Sequence, residues 1–240
     1  MNQLTAVYAS DKNLYKYLPM AINSLLTHNP DTKVYVFADN DEVFGLDHPN
    51  ITIINSHMYD SYILPTSPQY QYYLPNATFV RLWIAETLKE DRVLWLDVDT
   101  IVDASLDPLW NMDLGDNIVA GVPDRMAYMF PKIARDRYIN AGVLVIDLKK
   151  WRDEGLIDKS KIMVNTWRLK YGDQDIINYL CNDRILYIGG EYNYSKVTMT
   201  DNIVAPTIWH FADHPKLWES AAKDNSIYMS LWKKYYVPKL

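Results

Sequence analysis

Hydrophobic residues in this chain fall into short runs separated by polar or proline-containing breaks. Residues 4–9 (LTAVYA), 33–38 (KVYVFA) and 51–54 (ITII) are strand-length apolar runs. Between the first two, Leu14, Leu18, Ile22, Leu25 and Leu26 recur at helical spacing. The spacing predicts a helix over 14–28, giving a strand–helix–strand–strand opening typical of an α/β layout. Further along, 78–89 (TFVRLWIAETLK) reads as a helix and 93–99 (VLWLDVD) as a strand whose continuous apolar start suits a buried central position. Residues 117–122, 143–147 and 184–188 read as further strands, 158–170 and 173–181 as helices, and 214–236 as an amphipathic helix. Residues 58–77 are Tyr-rich and carry three prolines, which exclude a long regular element there. A loop of that length is either a lid on the acceptor side of a site or a packed surface loop. No repeat, low-complexity stretch or linker interrupts the pattern, so residues 1–240 read as one domain closed by a helical tail at about 214–240.

Composition narrows the function classes. The net charge of −6 argues against a nucleic-acid partner, which would call for a basic face. It leaves room for a phosphorylated ligand, because a local cation overrules global charge. The 19 Tyr and 8 Trp suit stacking on base or sugar rings, although most must serve the core and surface. Cys181 is the one cysteine, so no internal disulfide forms, which fits a reducing compartment. The opening MNQLTAVYAS has neither a basic n-region nor a long apolar h-region, and no apolar run is long enough to span a bilayer. The expectation is a cytoplasmic protein that at most touches the inner face of a membrane.

The chemistry concentrates at Asp97 and Asp99, which follow the apolar run VLWL. In an extended backbone, residues i and i+2 point the same way, so the two carboxylates would converge while Val98 turns to the core. Ligands of open α/β sheets bind beyond the carboxyl ends of strands. Two carboxylates there repel unless a cation or a proton sits between them. A hard divalent ion carrying a nucleotide diphosphate fits that place. The same residues also read as Asp-x-Asp-x-Thr (97–100), resembling the nucleophile motif of haloacid-dehalogenase-type phosphatases. Against this, 96 residues precede the motif and Gly172-Asp173-Gln174-Asp175 has the wrong spacing for that family's later acids.

Five segments, in order from position 9 to 218, resemble glycosyltransferase family 8, the retaining GT-A group that includes lipooligosaccharide galactosyltransferases and glycogenin. They are Ala9-Ser10-Asp11-Lys12-Asn13; Thr78-Phe79-Val80-Arg81-Leu82; Leu96-Asp97-Val98-Asp99 with Asp107-Pro108-Leu109-Trp110; Tyr138-Ile139-Asn140-Ala141-Gly142 and the apolar run to Asp147; and Gly172-Asp173-Gln174-Asp175 with His210-Phe211-Ala212-Asp213-His214-Pro215-Lys216-Leu217-Trp218. The resemblance implies a single-domain GT-A fold with a Rossmann-like mixed central sheet flanked by helices. It implies a UDP-sugar site made of Ala9, Ser10, Asp11, Asn13, Arg81, Asp97, Val98, Asp99, Asn140, Ala141, Asp173, Gln174, His210, Asp213 and Lys216. Asp97, Asp99 and His210 would hold Mn²⁺ (or Mg²⁺), an imidazole favouring the transition metal. Gln174, Asp173, Arg81 and Lys216 would act at the reacting centre, and Asp124 would be an acceptor-side acid. Each has a plainer reading: Asp11 as a helix N-cap, Arg81 in a surface ion pair, Gly142 in a turn before a strand, Asp173 and Asp175 at a helix N-terminus, His210 as a structural imidazole. Two departures from the family pattern stand out, Asp213 in place of Gly and Leu217 in place of Pro.

By the same resemblance, the reaction would move glucose or galactose from UDP-glucose or UDP-galactose to a carbohydrate, glycolipid or glycoprotein acceptor with retention of configuration. Gln174 stands where a nucleophile would, and an amide is a poor one, so front-side substitution is the expected route. A non-catalytic nucleotide-sugar-binding protein of the same fold is the remaining alternative. The aromatic and basic tail 227–240 (Trp232, Lys233, Lys234, Tyr235, Tyr236, Lys239) is either a peripheral membrane contact or a helix that closes the domain.

Overall fold

A computed structural model describes residues 3–41, 43, 45–69, 76–125, 137–195, 205–212 and 226–240. The chain opens with β1 (Thr5–Ser10), α1 (Leu18–His28), β2 (Lys33–Ala38) and β3 (Ile51–Asn55), with a 3-10 turn at Tyr15–Tyr17 leading into α1. Pro19 lies in the first turn of α1, where its missing N–H removes no helical bond.

The helix expected over 78–89 is broken into α2 (Asn76–Phe79), a 3-10 turn (Val80–Leu82) and α3 (Ile84–Thr87). Phe79 through Ala85 are all buried. Seven buried residues in a row cannot belong to one face of a surface helix, so the segment threads the interior irregularly.

Next come β4 (Arg92–Leu96), β5 (Thr100–Val102), α4 (Asp107–Trp110), β6 (Val119–Pro123) and β7 (Ile139–Asp147). They are followed by α5 (Leu148–Asp153), α6 (Leu156–Thr166), α7 (Asp173–Leu180), β8 (Ile185–Tyr187), β9 (Ile208–His210) and α8 (Ser226–Tyr235). β7 begins at Ile139 rather than 143, so Asn140, Ala141 and Gly142 lie inside a strand and not in a turn before one. β5 and β9 have three residues each, too few to show a period in the sequence. Residues 213–225, which include Asp213 and Lys216, lie outside the described residues.

Among the described residues, seven strands form one mixed sheet in the order β3-β2-β1-β4-β7-β6-β8, and β5 pairs with β9 in a second, two-stranded sheet. β3, β2, β1 and β4 run parallel, β7 is antiparallel to both β4 and β6, and β8 is parallel to β6. Alternation along the strands divides the core between the two faces. Val7, Phe37, Trp95, Leu144 and Ile146 pack on one side with Trp83, Trp151 and Ile177. Ala6, Tyr8, Val36, Leu94, Val143 and Val145 pack on the other with Ile22 and Leu25 of α1. This is an α/β fold with a mixed central sheet flanked by helices.

The expected acceptor-side loop is held down over its described part: Leu64 N–H and the Ser67 hydroxyl bond to Asn165 and Val164 of α6 at 2.8 and 2.7 Å. The tail also packs on the body. Leu231 and Tyr235 of α8 are buried against Met20 and Ile101. The Tyr235 hydroxyl reaches Asp103 and His28, and Lys234 pairs with Asp103 at 2.6 Å. No helix among the described residues is long and apolar enough to cross a membrane.

Candidate active site

The expected extended Asp97-Val98-Asp99 segment is a turn. β4 stops at Leu96, and Thr100 N–H bonds back to the Asp97 carbonyl at 3.1 Å. Val98 still goes to the core, 5% exposed, which frees the two flanking carboxylates from the apolar layer. The carboxylates meet through the tertiary fold rather than through strand pleating. β5 pairs with β9 so that Thr100 lies opposite His210, and Phe211 N–H bonds the Asp99 carbonyl at 2.9 Å. His210 Nε2 thereby comes 3.4 Å from Asp99 Oδ1 and 3.9 Å from Asp97 Oδ2. One ligand atom from each of Asp97, Asp99 and His210 lies within 4.8 Å of the other two.

Antiparallel pairing of β4 with β7 supplies the second wall. Leu96 lies opposite Val143, and Asp97 N–H bonds the Gly142 carbonyl at 2.8 Å, so Asn140–Gly142 run beside the carboxylates. A Cβ on Gly142 would lie 2.1 Å from His210 Cε1 and 2.7 Å from both ring nitrogens. The imidazole thus packs against the bare Cα of Gly142, a place that only glycine leaves open. Gly142→Ala is expected to eject the ring and lower divalent-metal affinity at least about tenfold, with roughly 1–3 kcal/mol lost from stability by overpacking. Mn²⁺ titration and denaturant unfolding check both parts.

Arg81 lies under these residues, buried, with its guanidinium 4.4 Å from the centre of the Trp95 ring. It donates to Asp97 Oδ1 at 2.9 Å and to the Ala141 carbonyl, and its Nε stands 2.8 Å from Asp173 Oδ2. That last contact is an ion pair without the alignment of a hydrogen bond, since neither atom has a bonded partner. Trp95 Nε1 adds a second donor to Asp97 Oδ1 at 2.9 Å. Arg81 is thus a buried clamp across three segments, not half of a surface ion pair.

α7 carries the remaining wall. Gly172 precedes it at φ +60 and ψ −126, a backbone that favours glycine. Asp175 holds this turn by accepting from the Lys170 and Tyr171 N–H groups at 2.7 and 2.9 Å and from the Tyr138 hydroxyl. That turns Asp173 and Gln174 toward β7. Gln174 Oε1 accepts from Ala141 N–H at 2.9 Å and its Nε2 donates to Asp124 at 3.1 Å. Asn178, one turn on, bonds both the N–H and the carbonyl of Ile139 and ties α7 to the start of β7. Asp124 follows β6 and reaches Asn140 at 3.2 Å because Pro123 pairs with Ile139. Asn178, Asn193 and Trp95 are the site-shaping residues that sequence reasoning did not pick out. Trp95, two residues before Asp97, was the one with a local signal.

Ala9, Ser10 and Asp11 line the same cleft as Arg81, Asp97, Val98 and Asp99. Asp11 does not cap a helix: its carboxylate accepts from the Asn13 backbone at 2.9 Å and from the Asn13 amide at 3.3 Å, closing a side-chain turn at the end of β1.

Burial pushes the Asp173 carboxyl up to about 7, against the opposing pull of Arg81, with Asp97 adding to the rise. The unfolded carboxyl titrates near 3.8, so between about 4 and 7 the native state binds the extra proton and stability falls as pH rises. Asp173→Asn is expected to remove that slope. Urea unfolding of both proteins at the two ends of the window checks it; equal slopes would refute it.

A divalent cation fits this donor set. Two carboxylates and an imidazole converge, and among the described residues the half-buried Asp97 and the buried Asp99, Asp124 and Asp173 are accompanied by Arg81 as the single buried Lys or Arg. Carboxylate oxygens and imidazole nitrogen suit Mn²⁺ and accommodate Mg²⁺.

A mixed sheet whose parallel half ends beside paired carboxylates is the α/β architecture that solved proteins share with this chain. The galactosyltransferase LgtC, solved in complex with donor and acceptor sugar analogues, superposes with a TM-score of 0.76 over 98% of this chain and 97% of that one at 24% identity. GlyE of Streptococcus pneumoniae gives 0.72 over 99% of this chain and 61% of that one at 22% identity. The chain belongs to glycosyltransferase family 8, whose sequence model matches residues 5–222. Among relatives, the glycosyltransferase GlyD of Streptococcus pneumoniae is 30% identical over 97% of this chain and 30% of its own length. The lipopolysaccharide 1,2-glucosyltransferase of Escherichia coli is 29% identical over 79% of this chain and 62% of its own length. The chain thus spans less than two thirds of these two relatives.

Proposed function

We propose that this protein is a metal-dependent, retaining hexosyltransferase that moves glucose or galactose from a UDP-sugar to a carbohydrate, glycolipid or glycoprotein acceptor. The observation that carries this is the convergence of His210 on Asp97 and Asp99, which line one cleft with Ala9, Ser10 and Asp11. Asp97, Asp99 and His210 would hold a divalent cation, which would supply positive charge against the charge developing on the leaving group. Asp11 and Asn13 would face the base, and Asn140, Ala141 and Asp173 the donor sugar. Arg81 would orient Asp97 and Asp173. Lys216 would meet the departing diphosphate, and Asp213 would bring a negative charge near it. Asp124 would meet the acceptor.

Transfer requires breaking the bond from the anomeric carbon to the phosphate oxygen and forming one to the acceptor oxygen, whose proton goes to the departing phosphate. The Gln174 amide is held at both ends, by Ala141 and Asp124, which suits a group that lines the sugar's far face rather than one that attacks it. That supports front-side substitution. The phosphatase alternative would make Asp97 the nucleophile, and one of its two oxygens, Oδ1, is already occupied by Arg81 and Trp95. Contact with a membrane-borne acceptor would fall to α8 and the residue after it, where Ile227 and Tyr236 are exposed.

Thermal shifts with UDP-glucose and UDP-galactose, each with Mn²⁺, Mg²⁺ or a chelator, test the proposal. A donor at about 100-fold its Kd adds roughly 2.7 kcal/mol, which raises the Tm of a chain this long by several degrees. The rise is expected only with metal present. Equal shifts in the chelator would overturn the metal reading, and no shift with either donor would overturn the donor assignment.

A further inference from the structure

Asn193 is wholly buried and sits between the two halves of the site. Its Oδ1 lies 2.7 Å from His210 Nδ1, and its Nδ2 donates to Asn140 Oδ1 at 3.0 Å. Asn140 Oδ1 also accepts from Gly142 N–H at 2.9 Å, while Asn140 Nδ2 donates to Asp124 at 3.2 Å. Amide oxygens and nitrogens are interchangeable in shape, so the polarity of such a chain must be fixed by groups with no choice. Two are present. The Gly142 N–H only donates, and the Asp124 carboxylate, when ionised, only accepts. Together they force Asn140 to turn its oxygen toward Gly142 and its nitrogen toward Asp124. Asn193 must then present its nitrogen to Asn140 and its oxygen to His210. An amide oxygen accepts only, so His210 must carry a proton on Nδ1. Its lone pair is left on Nε2, the nitrogen that faces Asp97 and Asp99.

We propose that Asn193 is a positioning residue of the metal site, which holds His210 as the Nδ1–H tautomer on instruction relayed from Gly142 and Asp124. This rests on the metal reading of Asp97, Asp99 and His210 given above. Neutral histidine in water favours the proton on Nε2, the form that would aim an N–H at the cation. The relay selects the other form before metal arrives. Gly142 serves twice: its bare Cα makes room for the ring, and its N–H sets the ring's tautomer. It also links the walls of the cleft, since Asp124 and Asn140 stand on the acceptor and donor-sugar side in the proposed function and His210 on the metal side.

The test has two arms. In ¹⁵N-histidine-labelled, metal-free protein at mildly alkaline pH, two-bond ¹⁵N–¹H correlation reads the His210 tautomer, with His210→Gln for assignment. Nδ1–H is expected in the natural protein, and a shift toward Nε2–H in Asn193→Leu. Mn²⁺ titration followed by electron paramagnetic resonance is expected to show affinity about 10–100-fold weaker in Asn193→Leu. Asn193→Asp keeps an acceptor for Nδ1–H but loses the donor to Asn140 Oδ1, so the Nδ1–H tautomer should persist in it while the link to Asn140 is broken. An Nε2–H imidazole in the natural protein would overturn the relay, and needs no variant to fold. So would Asn193→Leu binding Mn²⁺ as well as the natural protein does. Failure of the natural protein to bind Mn²⁺ would overturn the metal reading instead, a separate outcome because the tautomer is read without metal.

Discussion

Asp99→Asn is expected to lower transfer from a UDP-sugar by at least about 10²–10³-fold, the scale of losing one preorganised electrostatic contact at a reacting centre. Asp99 Oδ1 is the carboxylate oxygen nearer to His210 Nε2, at 3.4 Å, and is mostly shielded from solvent. An amide keeps the shape and an oxygen ligand but removes one negative charge from a three-ligand set. Mn²⁺ affinity should fall with activity. Folding should not suffer, because in metal-free protein the change relieves repulsion between Asp97 and Asp99. Melting in a chelator is therefore expected to be unchanged or higher, which separates loss of metal from loss of fold. Full transfer by this variant would end the metal assignment.

Arg81→Met is expected to have the largest effect on stability, roughly 3–5 kcal/mol, the range for removing one member of a buried ion pair. The guanidinium touches Asp97, Asp173, the Ala141 carbonyl and the Trp95 ring, and its side chain and that of Asp173 are 7% and 5% exposed. Met fills similar volume, so the loss comes from stranded charge rather than from a cavity. Arg81→Lys should recover little, since one ammonium cannot span three partners arranged for a planar fork. The deficit is expected to grow from neutral toward alkaline pH: below about 7 Asp173 holds a proton with or without Arg81, and above it the natural protein ionises Asp173 beside the guanidinium while the variant, whose carboxyl is raised further, does so only at a cost. Guanidinium unfolding at neutral and mildly alkaline pH measures this; a loss below about 1 kcal/mol at neutral pH would show that the clamp is not structural.

The elements legible in the sequence were those whose burial follows a period. β1, β2 and β3 were read almost to the residue because each is a short apolar run, the first two inside the covered sheet and β3 at its edge. The segment around Arg81 was misread as a helix because its Leu, Trp, Ile and Ala residues satisfy helical and interior patterns alike. The Asp97–Asp99 turn was misread as strand for a related reason: the buried Val98 between two acids imitates alternation. β5 and β9 left no trace, although β9 carries His210 to its place.

From the sequence alone came the α/β class, the family resemblance, and the residue types that a metal–diphosphate site requires, because these rest on local pattern and on motif order. Only the tertiary structure decided that the two acids meet the imidazole across a small antiparallel pair, and that Arg81 lies beneath them as a clamp. It also showed that Asn193, unmarked in the sequence, bonds His210. Pairings of this kind join positions far apart in the chain. A one-dimensional pattern records how often a residue turns inward, but not which distant group it meets there.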